Sequence, residues 1–466
     1  MSDNTVMPIV RVAVLAPGSA GGRLTDMALP SGVPLREILP AVQRMALAGD
    51  EPDGAPPQRL SLAPVGGAPF SLDATLDTVG VVDGDLLVLA PVPAGPPAPR
   101  IVEDIADAAV LFAPSVQRTW GPRVIARGAV GTAMALLLVA TGLAVAHRIL
   151  TGGLTGVFVA TGVAVVAVLA ALVARTRSAG PAAALSVCAL APVAAAFAMG
   201  VPGGFGAPNV LLAAAGVTAW SLIGLTLSDR SVAVFTATTA AAVATMLVAA
   251  AASVWTPGWT MIGCGLLLLG LVTVLAAPQL SATWARFPLP VIPAPGDPTP
   301  SAQPLQVLAD LPRRVRRADA HQTGFIAAGT GLAVAGSVAL LAPADASPWA
   351  WYLVAAAAAA GALRARVWDS TPCKAWLLAH PYLVAVALLV TFTATGRYAA
   401  AWWTLAALTV LVLIWAVAAA YPKLAEPETY SVPMRRLTGF LATGLDASLV
   451  PVMAYLVGLF SWVLDR

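Results

Sequence analysis

Asp446 is the carboxylate that clearly enters a long apolar run of this 466-residue chain, past Phe440. A buried carboxylate could serve ion- or proton-coupled transport, make a polar contact between helices, or sit at a membrane boundary. Its place near the start of its run favours the boundary, where the positive end of a helix dipole stabilises an acid. The cost there is below the roughly 2.5–3.5 kcal/mol of a mid-bilayer charge. A contact between helices is the alternative. His380, directly before Pro381 at the end of another run, reads as a boundary residue.

Enzyme chemistry finds few residues to use. A phosphate-binding P-loop needs Gly-rich backbone amides followed by a lysine, and the two lysines, Lys374 and Lys423, follow Cys373 and Pro422. His147, His321 and His380 are isolated, and no cysteine pair accompanies them, so no zinc site is expected. Cys188, Cys264 and Cys373 read as reduced, mostly buried thiols. No Ser/His/Asp set falls in one layer. The expectation is a protein without catalytic residues or cofactors, and nothing points to nucleic acid.

Two segments could make contacts. After the Pro-rich stretch 288–304, Leu305, Leu308, Leu311 and Val315 form an apolar edge beside Arg313, Arg314, Arg316 and Arg317. A basic amphipathic helix of this kind lies along an anionic membrane surface or meets an acidic partner. Within 101–123, Ile101, Ile105, Ala108, Ala109 and Phe112 share one helical face, and Glu103, Asp104 and Asp107 another. That helix packs on its own protein or docks a partner. Ile105, Phe112, Leu308, Leu311 and the four arginines are the contact candidates, with Asp446 the polar candidate within the membrane.

The elements that must position these residues are apolar and numerous. Fifty-nine per cent of the chain is hydrophobic and 11% charged, outside the soluble globular range. Eleven runs, near 124–146, 153–174, 181–200, 207–227, 231–252, 257–280, 323–342, 347–364, 376–396, 398–420 and 441–464, are long enough to cross a hydrocarbon core about 30 Å thick as helices. With the N-terminus in the cytosol, the inside gaps hold fourteen Lys and Arg and the outside gaps three: Arg148, Arg397 and Arg466. Retention of positive loops on the cytoplasmic side selects that orientation and places the C-terminus outside. Trp255, Trp259, Trp349, Trp351, Trp402 and Trp403 then fall at the outer ends, where an aromatic belt belongs. The first apolar stretch follows Arg127, so the first span is expected to act as an uncleaved anchor. Pro192 and Pro451 should bend their helices. Gly152/Gly156 and Gly331/Ala335 have the spacing of close helix packing.

The first hundred residues differ in kind, with six arginines against ten acids. Val10, Val12 and Val14 alternate with polar or small residues, the period of a half-buried strand. Arg23–Pro30 completes a hairpin, and Pro34 fits the first turn of a helix. Leu35, Ile38, Leu39, Val42, Met45 and Ala46 give that helix one apolar face. Arg59–Ala63 and Asp85–Ala90 supply further strands. This order, with the segment Thr75-Leu76-Asp77-Thr78-Val79-Gly80-Val81-Val82-Asp83-Gly84-Asp85-Leu86-Leu87-Val88-Leu89, resembles the ubiquitin-like β-grasp fold. The last strand runs into Pro91–Pro99 rather than an exposed Gly-Gly terminus, so the domain reads as an interaction module without conjugation chemistry.

The reading is therefore an α-helical polytopic membrane protein with eleven transmembrane helices and an N-terminal α+β ubiquitin-like cytosolic domain. Its parts are 1–92 (soluble domain), 93–123 (linker with an amphipathic helix), 124–280 (spans one to six), 281–322 (basic linker) and 323–466 (spans seven to eleven). This architecture resembles the EccD subunit of mycobacterial type VII (ESX) secretion systems over essentially the whole chain. Heavy Ala, Gly, Val and Arg usage agrees with an actinobacterial-type source. The resemblance implies a structural inner-membrane subunit, present as a homodimer around a lipid-filled space. It further implies an EccC-like ATPase bound through the soluble domain, EccB-like and EccE-like neighbours, and, from the short linkers, the paralogue linked to iron acquisition. A secondary transporter is the alternative function; scarce intramembrane charge and an odd span count weigh against it. A lipid-modifying enzyme would need clustered polar residues at one membrane face.

Overall fold

The computed structural model describes residues 8–16, 23–46, 60–92, 120–287, 305–421 and 432–464. In the first domain β1 (Ile9–Ala16) and β2 (Arg23–Pro30) form an antiparallel pair, followed by α1 (Leu35–Ala46), β3 (Leu60–Pro64) and β4 (Leu86–Pro91). The sheet order is β2-β1-β4-β3, with β1 and β4 parallel and the other pairs antiparallel. Period-two alternation sends Val12, Val14, Met27, Leu29, Leu62, Leu87 and Leu89 to one face. There they meet Leu35, Ile38, Leu39 and Val42 of α1 in a single core.

Two sharp turns lead into the last strand. Gly80 and Gly84 adopt φ of 74° and 91°, a region that residues with a Cβ avoid. The turn at Gly84 is tied to β1 from both sides: Gly84 N–H donates to the Arg11 carbonyl at 2.8 Å, and Arg11 N–H donates to Asp83 Oδ1 at 2.6 Å. The helix starts at Leu35, one residue after Pro34, whose backbone bridges to Thr75 instead.

The helical domain comprises α2 (Pro122–Thr151), α3 (Thr155–Arg175), α4 (Ala179–Cys188), α5 (Leu190–Met199), α6 (Ala207–Leu227), α7 (Val232–Trp255), α8 (Trp259–Trp284), α9 (Leu305–Leu341), α10 (Pro348–Arg364), α11 (Thr371–Ala394), α12 (Tyr398–Ala420), α13 (Val432–Leu456) and α14 (Leu459–Leu464). Among the described residues ten segments are long and apolar enough to cross a membrane, α4 and α5 together counting as one. The remaining expected span, 347–364, forms α10, a helix of 17 residues. Pro348 sets its start, and the 3₁₀ turn Ala365–Val367 follows its end.

Several elements depart from the expected form. The third span is interrupted at Ala189, between α4 and α5. Pro192 has no N–H for the Cys188 carbonyl, so the ladder fails there. Pro451 lies within the unbroken α13, and the last run instead divides near Gly458, whose φ is 78°. The basic segment and the seventh span, expected as separate pieces, are one helix of 37 residues, α9. At 1.5 Å per residue that is about 55 Å, well beyond one hydrocarbon thickness. Residues 313–323 contain neither glycine nor proline, and arginine, alanine and glutamine favour helix continuation.

Burial ranks the helices. In the α9 span 72% of the most apolar window is buried, against 11% for α2 and 6% for α12. α9 is thus the central post of its bundle, while α2 and α12 offer apolar faces outward. Leu340, Leu341, Leu353 and Phe392 anchor the largest apolar cluster around that post.

Candidate functional site

Most charged residues of the helical domain lie toward the ends of its apolar segments, whereas Asp446 lies midway along α13. At the arginine-rich ends, Arg364 closes α10 and reaches Asp446 of α13, Nη2 to Oδ1 at 2.5 Å. The Arg364 side chain is 13% exposed and that of Asp446 33%. Arg366 Nη1 donates to Thr438 Oγ1 at 2.9 Å, one step along the same pair of helices. Further along, Tyr352 Oη donates to Ser448 Oγ at 2.9 Å, and the rings of Trp349 and Tyr455 meet edge to face at 6.0 Å. α13 is therefore seated on α10 by a ladder of polar and aromatic contacts.

Arg317 pairs with Asp229, which precedes α7, at 2.5 Å, and Arg314 lies 3.8 Å from Asp310 one turn away. Below Arg317, His321 Nδ1 shares a 2.7 Å hydrogen bond with Thr236 Oγ1, and the His321 ring stands edge-on to Trp284. Arg313, Arg316 and Leu311 are exposed on α9. Leu308 belongs to the same helix, while Ile105 and Phe112 lie outside the described residues.

Among the described residues the tryptophan-bearing ends carry Arg148 and Arg397, and both close helix termini. Arg397 Nη1 lies 2.7–3.2 Å from the carbonyl oxygens of Leu341, Ala342 and Pro343, where α9 ends. Its guanidinium sits 4.7 Å from the Phe392 ring centre. Arg148 Nη1 donates to the carbonyl of Gly152, which terminates α2. A cation at a helix C-terminus offsets the negative end of the dipole. Trp255, Trp259, Trp349, Trp402 and Trp403 all remain exposed at these ends.

The bundle is drawn together by small residues, of which the sequence pattern singled out only Gly156. A Cβ added at Gly336 would lie 2.8 Å from the Gly263 oxygen, and one at Gly270 would lie 2.7 Å from the Gly329 oxygen. Gly324 presses on the Ala233 carbonyl, and Gly156 on that of Ala144. Gly331, by contrast, faces open space and contributes no close packing, and Gly152 is a left-handed C-cap. The missed signal was legible: 263 and 270, like 329 and 336, are seven residues apart.

Between α8, α9, α10, α11 and α13 lies a cavity of about 40 Å³. Arg364, Asp446, His380 and Thr330 contribute its polar lining. The His380 ring occupies the room left by Gly361, where a Cβ would stand 2.5 Å from Nδ1. His380 is thus buried inside the protein, 4% exposed, among helices that its neighbour Pro381 did not indicate.

The described residues build a membrane domain with paired charges and capped helix ends, joined in sequence to a small β-grasp domain. Comparison with known proteins decides the family. The EccD-like transmembrane domain matches residues 122–465, and the YukD protein of the WXG100 protein secretion system (Wss) matches residues 9–89. The chain belongs to the EccD family. It is 69% identical over 475 aligned positions to the ESX-3 secretion system protein EccD3 of Mycolicibacterium smegmatis, all of both chains being covered. Identity to EccD3 of Mycobacterium tuberculosis H37Rv is 58%, again over the whole of both chains. Among solved structures, protomer 1 of the ESX-3 core complex contains a chain 66% identical to it, with a TM-score of 0.71 over 98% of this chain and all of that one. A chain of the MycP5-free ESX-5 inner membrane complex shares the fold at 22% identity, with a TM-score of 0.59 over 89% of this chain and all of that one. The EccD-family fold thus pairs a ubiquitin-like domain with a multi-span membrane domain, as read from the sequence.

Proposed function

We propose that this EccD-family chain is a noncatalytic structural subunit in the inner-membrane core of a type VII (ESX) protein secretion complex. The observation that carries the reading is full-length similarity, at 66% identity, to a chain of the ESX-3 core complex. The arginine-rich helix ends face the cytosol, together with the β-grasp domain, and the tryptophan-bearing ends face outward. Two copies pair around a lipid-filled space, and the sparsely buried α2 and α12 supply apolar surface for lipid or for neighbouring subunits. An EccC-like ATPase docks on the β-grasp domain, and EccB-like and EccE-like subunits flank the helices. ATP-driven rearrangement of the motor then reaches the membrane through that domain and the segment 101–123.

The test is affinity purification from native membranes in mild detergent, with native mass and identification of each co-purifying chain. A very large assembly containing a membrane-anchored ATPase and two copies of this chain per protomer is expected. A clean monomer or homodimer without an ATPase overturns the assignment. Deleting residues 1–100 should leave membrane insertion intact and abolish export; normal export by that truncation refutes the coupling role.

A further inference from the structure

Many serines and threonines within the spans satisfy their hydroxyls on their own helix, and others, such as Thr236 and Ser221, on a side chain of a neighbouring helix. Thr141, Thr161, Thr218, Thr239, Thr273, Thr391, Thr404 and Ser337 all donate their hydroxyls to a carbonyl one turn earlier in the same helix. That local bond is how such residues are accommodated away from water. Thr330, 2% exposed on α9, does not make it, and its Oγ1 has no protein partner. His380 Nε2 on α11, 4% exposed, is likewise buried and unpartnered. Both residues line the same cavity, alongside the Arg364–Asp446 ion pair.

We infer that this cavity is a hydrated polar site, holding ordered water that serves Thr330 and His380 and extends to the Arg364–Asp446 pair. Its volume of about 40 Å³ exceeds the roughly 10–15 Å³ that one water needs, and a water requires the two to four polar partners found here. Burying two polar groups without partners is costly, and water removes that cost. Water also fits both groups, since it donates to a hydroxyl or a bare ring nitrogen and accepts from a ring N–H. A cation is disfavoured beside the Arg364 guanidinium. α13 is therefore held by a wet contact that borders the close approach of α8 and α9 at Gly270 and Gly329.

Hydroxyl-radical labelling by X-ray radiolysis tests this on the full-length chain in lipid nanodiscs, because radicals form from bound water and oxidise adjacent methionine. Met453 lines the cavity and is 7% exposed; Met199, 3% exposed, lies in an apolar cluster elsewhere. Severalfold faster oxidation of Met453 than of Met199 is expected. In Thr330→Val combined with His380→Leu, Met453 oxidation should fall to the Met199 level. Equal slow oxidation of both methionines in the unaltered chain shows a dry cavity and overturns the inference. Persistent Met453 oxidation in the folded double variant also overturns it, because the water then does not depend on these groups. Should the double variant not fold, the unaltered chain and Thr330→Val alone still decide.

Discussion

Gly263 and Gly336 face each other across α8 and α9 so closely that a Cβ at position 336 would lie 2.8 Å from the Gly263 carbonyl oxygen. Gly270 and Gly329 repeat the relationship two turns away, at 2.7 Å. The two pairs descend α8 and ascend α9, so seven-residue spacing keeps both on one antiparallel seam. Apolar burial gains little inside a bilayer, and close backbone approach takes over as the source of attraction.

Gly336→Val should therefore force α8 and α9 apart. The expected cost is about 1–3 kcal/mol, as for other overpacked interiors, seen as a lower melting temperature in nanodiscs and a reduced yield of assembled complex. Gly331→Ala is the matched control, since nothing lies within 4 Å of its added Cβ. It should leave stability unchanged or raise it by up to about 0.5–1 kcal/mol through helix propensity. Equal behaviour of the two variants would contradict the seam.

Arg397→Ala should loosen the junction of α9 and α10. Its guanidinium supplies the hydrogen bonds for three carbonyls at the end of α9, and bonds to charged groups contribute about 1.5–3 kcal/mol. Hydrogen exchange at 342–346 should accelerate while exchange in α2 stays constant. Unchanged exchange at 342–346 would mean that other groups carry the cap.

The Arg364–Asp446 pair calls for a double-mutant cycle. Removing one partner leaves the other charged in a largely apolar site, so Arg364→Met and Asp446→Leu should each lower the melting temperature. Their combination should recover much of the loss, because an apolar pair of similar size avoids the desolvation of both charges. With Asp446 one-third exposed, each single loss should fall below the 3–5 kcal/mol of a fully buried pair. Additive losses would show that the two residues act separately.

Length and periodicity made most of this fold legible in the sequence. The β2 strand falls on Arg23–Pro30 as expected, and the Thr75–Leu89 segment carries its turns at Gly80 and Gly84. These are local properties. What escaped was long-range: Asp446 was read at a boundary or against another helix without a named partner, and Arg364, 82 positions away, was counted only as a loop charge. His380 was assigned by its neighbour Pro381 when Gly361, on a different helix, makes room for it. The expected eighth span, 347–364, is the shortest, because Pro348 and the turn after Arg364 bound α10 at 17 residues. The separation expected between the basic segment and the seventh span rested on a change in polarity. Helix continuity depends instead on the backbone, and nothing between 313 and 323 breaks it.

The arrangement of arginines yields a final prediction about orientation. Of the three basic residues assigned to the outer side, Arg148 and Arg397 are engaged by carbonyls at helix ends, so they serve as structural caps rather than topological signals. The remaining bias puts the α3–α4 turn in the cytosol and the α9–α10 turn outside. In a background with Cys188, Cys264 and Cys373 replaced by alanine, a membrane-impermeant maleimide should label Ala344→Cys in intact spheroplasts. Ser178→Cys, exposed at the opposite helix ends, should react only after lysis. The reverse pattern would place the β-grasp domain outside the cell, beyond reach of any cytosolic ATPase, and would remove the physical basis of the coupling role.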